Sequence, residues 1–136
     1  MKEQRKYIRY DLEGWARLKF EAEGTVDIKR VDDLSHVIRA DLQDISYGGI
    51  SVWAGEKMES GANVLFELTT KFWDDPISGK GKVRYAREMR RLGEHKIRVG
   101  IEFLEVNREI VKDILNRILE DICQAARKSE QSKKNF

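Results

Sequence analysis

Apolar and polar residues alternate along most of the first 106 residues. The alternation is clearest in four segments: 14–21, 36–45, 62–70 and 95–106. Shorter segments of the same kind lie at 26–29 and 50–52, and a further long segment at 80–89 is expected to form a hairpin with 95–106. A two-residue period is typical of half-buried β-strands, and glycine-containing or charged turns separate the segments. We therefore expect six or seven short strands with no helix between them, which fits a closed antiparallel barrel or a sandwich.

One segment between the strands departs from this pattern. Residues 71–79 contain the single proline of the chain, Pro76, together with Asp74, Asp75 and Gly79. Proline and glycine interrupt regular structure, so we expect an exposed turn or excursion here.

The period changes after Val106. Asn107 is a good helix N-cap, and apolar residues then follow at spacings of three and four up to Ala126. We predict a long C-terminal α-helix over 107–128, followed by a disordered charged tail at 129–136. A helix of about 20 residues is roughly 30 Å long, which exceeds what one opening of a small barrel requires. Its second half fits a self-association surface, and hence a homodimer, as well as it fits packing on the domain's own side.

Composition limits the function classes. A chain of 136 residues forms one domain with a real core, and 26 basic against 24 acidic side chains leave a net charge of +2. This charge gives no global case for binding a nucleic acid polymer. No apolar run approaches the ~20 residues of a membrane span, and the N-terminus leads into no signal-peptide core. We expect a cytoplasmic protein without a membrane span.

No catalytic or metal-binding set is recognisable. His36 and His95 do not flank a nucleophile turn, and with the single Cys123 they offer no metal-ligand spacing. The stretch Gly79-Lys80-Gly81-Lys82 lacks the full spacing of a phosphate loop and the helix that should follow it. We expect neither enzymatic activity nor a metal ion.

Two stretches carry candidate chemistry. The first, 44–49, has the sequence Asp-Ile-Ser-Tyr-Gly-Gly and joins two predicted strands. Asp44 and Ser46 fall on one side of an extended backbone, and the glycines permit close approach of another group. Taken alone, this composition favours a turn whose polar side chains bond their own backbone over a ligand-facing turn. The second stretch is the basic segment 1–10 with Arg5 and Arg9, which we expect to be flexible.

Together these stretches resemble a known signature. The order Arg-x-x-x-Arg (Arg5, Arg9) and then Asp-x-Ser-x-x-Gly (Asp44, Ser46, Gly49) is similar to the two-part motif of PilZ domains. Three further features are similar to the same family: the stretches 49–52 and 99–103 and the closing helix. The resemblance therefore covers about residues 4–125. It implies a mainly β fold, a six-stranded antiparallel β-barrel over 11–106 of the PilZ split-barrel kind with a C-terminal helix. It also implies binding of the bacterial second messenger cyclic di-GMP, with no other cofactor.

The resemblance and the chemistry of the ligand suggest a role for each site residue. Guanidinium groups fork onto phosphate oxygens and onto the Hoogsteen edge of guanine, which the resemblance assigns to Arg5 and Arg9. The carboxylate of Asp44 matches the N1 and N2 hydrogens of guanine. Ser46 would contact an adjacent base or backbone group, and Gly49 would let the backbone come close.

The expected function is therefore a cyclic di-GMP receptor. Its arginine leader would order over the barrel when the ligand binds, and the signal would pass to an unidentified downstream protein. The alternative is a non-binding adaptor that acts through the long helix.

Some features stay open. Gln4 lies where family members vary in ligand number, so one ligand or a stacked pair fits. The surplus length at 27–35 fits a role in shaping the site or a partner face. Tyr7, Tyr10 and Trp53 suit stacking on a base or plugging the barrel.

Overall fold

The computed structural model describes residues 7–20 and 37–134. Arg5, the expected strand at 26–29 and the surplus segment 27–35 lie outside the described residues.

The described residues form seven strands and one helix in the following order: β1 (Tyr10–Asp11), β2 (Gly14–Phe20), β3 (Ile38–Ser46), β4 (Gly49–Ala54), β5 (Asn63–Thr70), β6 (Trp73–Arg91), β7 (Glu94–Glu105) and α1 (Arg108–Lys134). Strand β1 therefore begins at the last residue of the segment expected to be a flexible leader.

Six of the strands close into a ring. Every pairing is antiparallel, neighbours follow the order β3-β2-β5-β6-β7-β4, and β4 pairs back onto β3. The short β1 pairs with the end of β3, beyond the part of β3 that pairs with β2. A closed ring leaves no long strand edge unpaired. The mainly β, six-stranded fold with a C-terminal helix is thus confirmed.

The core fills the inside of the ring. Its side chains come from the apolar positions of the alternating pattern, and three residues of α1 cover one end. The most completely buried of these side chains are Ala16, Leu18, Ile50, Val52, Ala54, Val64, Val83, Val99 and Ile114. Burial of each valine, leucine or isoleucine side chain contributes about 1.5–3 kcal/mol, so packing against the ring stabilises the first half of α1.

Helix α1 begins as the sequence predicts but ends later. The side-chain oxygen of Asn107 accepts the backbone N–H groups of Glu109 (3.1 Å) and Ile110 (3.3 Å), which is N-cap geometry. The helix continues to Lys134, whereas the sequence pattern placed its end at 128 and a disordered tail after it. Residues 127–134 contain neither glycine nor proline and include several good helix formers, so nothing in them stops the helix.

The expected turn at 71–79 is wrong in extent, because strand β6 already begins at Trp73. Ile77 pairs with Leu68 and Trp73 pairs with Thr70, which leaves three residues of β6 opposite the single residue Thr69. This irregularity accommodates Pro76, which cannot donate a ladder hydrogen bond.

Candidate functional site

A β-bulge in β3 places Asp44 on the outside of the ring. The inward-facing residues of β3 are Ile38, Ala40 and Leu42, and a regular strand would add residue 44 to this series. The pairing with β4 instead shifts register between Leu42 and Asp44, so that Ile45 becomes the next core residue. The bulge therefore reverses the alternation and turns the Asp44 carboxylate to the outer face.

Two arginines hold that carboxylate. The Oδ1 atom of Asp44 lies 3.0 Å from Nη1 of Arg9, and its Oδ2 atom lies 3.2 Å from Nη2 of Arg98. Asp44 is only 6% exposed. A buried carboxylate is tolerated when cations or hydrogen-bond donors satisfy its oxygens, and here each oxygen has one guanidinium partner. Two positive charges on one negative charge leave a local excess of positive charge.

The leader and the strand motif meet at this point. Arg9 directly precedes β1, and the pairing of Asp11 with Asp44 brings the leader alongside the end of β3. Two residues earlier, the ring of Tyr7 contacts Tyr47 edge-on, with centroids 5.5 Å apart. A Cβ atom on Gly48 would come within 2.9 Å of the Tyr7 ring, so this glycine makes room for the leader. Residues 7–9 thus lie across the turn 46–49.

Ser46 forms the self-bonded turn that its composition favours. Its hydroxyl oxygen accepts the backbone N–H of Gly48 at 3.2 Å and donates to the carbonyl oxygen of Gly49 at 3.5 Å. Ser46 is 4% exposed. Its main visible role is to fix the turn backbone beside Asp44.

Gly49 is required by the neighbouring strand. A Cβ atom at this position would lie 2.3 Å from the backbone carbonyl oxygen of Ile101 in β7. Such a distance is far below a normal contact, so only glycine permits this close pairing of β4 with β7.

The sequence reasoning missed Arg98, which contacts Asp44 from β7. The guanidinium of Arg98 also lies 5.7 Å from the centre of the Trp53 ring, and that of Arg91 lies 5.5 Å from it. The indole N–H of Trp53 donates to the side-chain oxygen of Gln43, the bulged residue of β3. Trp53 is therefore an outer-face residue and not a barrel plug. One signal in the sequence could have indicated it: Arg98 alternates with the apolar residues 97 and 99, so its side chain must point out of the ring.

The outer face of β3, β4, β6 and β7 is locally basic. Besides Arg9 and Arg98 it carries Arg91, which pairs with Asp41 at 2.9 Å, and Arg87, which lies 5.2 Å from the centre of the Tyr85 ring. The near-neutral charge of the whole chain conceals this local concentration of guanidinium groups. Guanidinium groups beside aromatic rings suit a ligand that is both planar and anionic.

The described residues contain no group of three or more His, Cys, Asp or Glu side chains that could hold a metal ion. No helix in the described part is long and apolar enough to cross a membrane.

The family follows from a comparison of sequences. A sequence profile of the PilZ domain matches residues 3–121 of the 136, which is most of the chain. The chain belongs to the PilZ domain family. The resemblance drawn from the two motifs is thereby confirmed. Comparison with curated proteins finds no match.

Solved structures of PilZ proteins share the fold at low sequence identity. The PilZ domain of YcgR from Escherichia coli with c-di-GMP matches with a TM-score of 0.66 and 15% identity, over 94% of this chain and 98% of that domain. MotI/DgrA, the Bacillus subtilis inhibitor of motility, has a TM-score of 0.65 and 17% identity, over 90% of this chain and 53% of its own. The complex of MrkH from K. pneumonia with c-di-GMP has a TM-score of 0.62 and 17% identity, over 93% and 56%. This PilZ chain thus spans about half the length of MotI/DgrA and MrkH.

Proposed function

We propose that this PilZ protein is a receptor for cyclic di-GMP that has no catalytic activity of its own. The observation that carries the proposal is the ion pair of 3.0 Å between Arg9 of the leader and Asp44 of β3. It joins the two halves of the PilZ motif on one basic outer face. Two of the similar solved structures, YcgR and MrkH, are complexes with c-di-GMP, which supports the same ligand class here.

The proposed contacts follow from complementarity. Asp44 accepts the N1 and N2 hydrogens of one guanine, because an ionised carboxylate offers acceptors only. Arg9, together with Arg5, binds phosphate oxygens and the Hoogsteen edge, since both offer acceptors at the spacing of a guanidinium fork. Ser46 and Gly49 keep the turn in the shape that presents Asp44.

Ligand binding is proposed to reorder the leader. Arg9 exchanges its bond to Asp44 for bonds to the ligand, and residues 7–9 shift with it across the turn 46–49. Charge-assisted hydrogen bonds contribute about 1.5–3 kcal/mol each, which suffices to offset the ordering of a short segment. The new surface made by leader and ligand is what a downstream protein would bind.

Calorimetric titration with cyclic di-GMP tests this function. The wild-type protein is expected to give saturable heat, and Arg9→Ala is expected to bind at least about tenfold more weakly because a charge-assisted bond is lost. Arg17→Ala is the matched control, since Arg17 is an exposed arginine of β2 that pairs with Glu67 at 3.5 Å and lies away from Asp44. Absence of heat with the wild-type protein, or equal binding by Arg9→Ala, would sink the proposal.

A second candidate function rests on the far half of α1. Leu119 and Ile122 are 40% and 51% exposed, and the helix continues to Lys134 beyond them. An adaptor that self-associates through this stripe would depend on Ile122 and would tolerate loss of Asp44. Sedimentation analysis of Ile122→Asp against the wild-type protein separates the two functions, because only the helix-based function predicts a change of association state.

A further inference from the structure

Arg98 is held more firmly than Arg9, although both contact Asp44. It extends from the middle of β7, where its neighbours Ile97 and Val99 pair with β4 on one side and β6 on the other. Its guanidinium donates to Oδ2 of Asp44 at 3.2 Å and lies beside the Trp53 ring. The Nε atom of Arg98 is buried and has no hydrogen-bond partner among the described residues. Arg98 is thus anchored in the long strand β7, and its guanidinium contacts two side chains of the ring, although its side chain is about as exposed as that of Arg9 (26% against 22%).

Arg9 is attached to the ring by much less. It precedes a strand of two residues, and its hydrogen bond to the ring in the described part of the chain goes to Oδ1 of Asp44. When Arg9 transfers to a phosphate, as the proposed function requires, Oδ1 loses its partner. A carboxylate that is 6% exposed would then lie buried with an oxygen that lacks a partner, and Arg98 would be its remaining contact with a cation.

We infer that Arg98 is a positioning residue that keeps Asp44 ready for guanine. Through Oδ2 it fixes the plane of the carboxylate, and Oδ1 is left to accept the guanine N1 and N2 hydrogens. This inference rests on the proposed function and adds a residue outside the two-part motif. It assigns Arg98 a role in base selection, because adenine carries an acceptor at N1 and no amino group at C2.

The surroundings of Arg98 support a fixed orientation. Trp53 lies under its guanidinium, and the Trp53 indole is itself held by Gln43 at the bulge that turns Asp44 outward. Gln43, Asp44, Trp53 and Arg98 therefore form one connected polar group on three neighbouring strands. Residues locked by such contacts hold a binding geometry more closely than residues on a mobile segment.

A double-mutant cycle tests the inference. Affinity for cyclic di-GMP and for cyclic di-AMP is measured by calorimetry for the wild-type protein, Arg98→Gln, Asp44→Asn and the double variant. Arg98→Gln is expected to weaken cyclic di-GMP binding roughly 30-fold and to reduce the preference over cyclic di-AMP. In the Asp44→Asn background the same change is expected to alter affinity by no more than about twofold, because Arg98 acts through Asp44.

Two control variants separate the loss of a positive charge from the loss of the Arg98 contact with Asp44. Arg90→Gln removes one positive charge from the same hairpin. Arg87 pairs with Arg98 and shares its face of the sheet, whereas residue 90 is three positions further along β6 and lies on the opposite face. It is expected to leave both affinities unchanged. Arg98→Lys keeps the charge without the fork and is expected to bind between the wild-type protein and Arg98→Gln. If Arg98→Gln melts too low for titration, the cycle is made with Arg98→Lys.

The outcomes are distinct. Failure of the wild-type protein to bind cyclic di-GMP overturns the proposed function and this inference with it. Wild-type binding that Arg98→Gln leaves intact overturns the inference alone. Equal losses from Arg98→Gln in both backgrounds also overturn it, since Arg98 would then act on the ligand independently of Asp44.

Discussion

Replacing Gly49 with alanine would place a methyl carbon 2.3 Å from the backbone carbonyl oxygen of Ile101. An ordinary contact between these atoms needs about 1 Å more, and neither atom belongs to a flexible side chain that can turn aside. Strand β4 would have to separate from β7 at the residue that also ends the Ser46 turn. We expect Gly49→Ala to lower the free energy of unfolding by about 2–4 kcal/mol.

The assay is urea unfolding followed by circular dichroism, with thermal melting as a second measure. For a domain of this size the loss corresponds to a melting temperature about 10 °C lower. Gly55→Ala is the matched control, because a Cβ atom there meets nothing within 4 Å. It is expected to change the free energy of unfolding by less than about 1 kcal/mol, and in the stabilising direction if at all. Equal stability of the two variants would refute the argument that Gly49 serves the pairing of β4 with β7.

Three further predictions concern other contacts. Asp44→Ala leaves the guanidinium groups of Arg9 and Arg98 without their shared anion, so we expect the free energy of unfolding to fall by about 1–3 kcal/mol in urea titrations; unchanged stability would speak against the ion pairs. Cyclic di-GMP affinity is expected to fall as KCl is raised from 50 to roughly 500 mM, since exposed parts of the basic face are screened, and a salt-independent affinity would contradict the assigned phosphate contacts. Asn107→Ala removes the helix N-cap and is expected to cost about 1 kcal/mol, whereas Asn107→Asp should retain stability; equal loss in both variants would exclude capping as the cause.

Much of the fold could be predicted because it depends on local alternation. The apolar residues of β2, β5 and β7 recur at every second position. Those of α1 recur at spacings of three and four residues. One error arose where strand pairing overrides local preference, and another at the end of the helix. Pro76 suggests a turn, but a pairing irregularity that contains Pro76 allows β6 to begin at Trp73. The end of α1 was placed where the apolar stripe stops, although a helix needs no apolar stripe to continue through good helix formers.

Only part of the candidate site could be predicted from the sequence. Arg9 and Asp44 were paired by a motif, and the structure brings them within 3.0 Å. Arg98 lies 54 residues from Asp44 in sequence and meets it only because β4 joins β3 to β7. The bulge at Gln43 was equally hidden, since a one-residue register shift is set by strand pairing and not by composition. Without that shift the alternation would have assigned Asp44 to the core face.

Hydrogen exchange with and without cyclic di-GMP tests most directly the claim that the ligand binds on the face of Asp44. Backbone amides in 7–11, 43–54 and 97–100 are expected to exchange more slowly when the nucleotide is present, because the leader and the motif would close on it. Amides of the β2 and β5 pairing, which contains none of these residues, are expected to keep their rates. Protection confined to β2 and β5, or no protection at saturating nucleotide, would contradict the account.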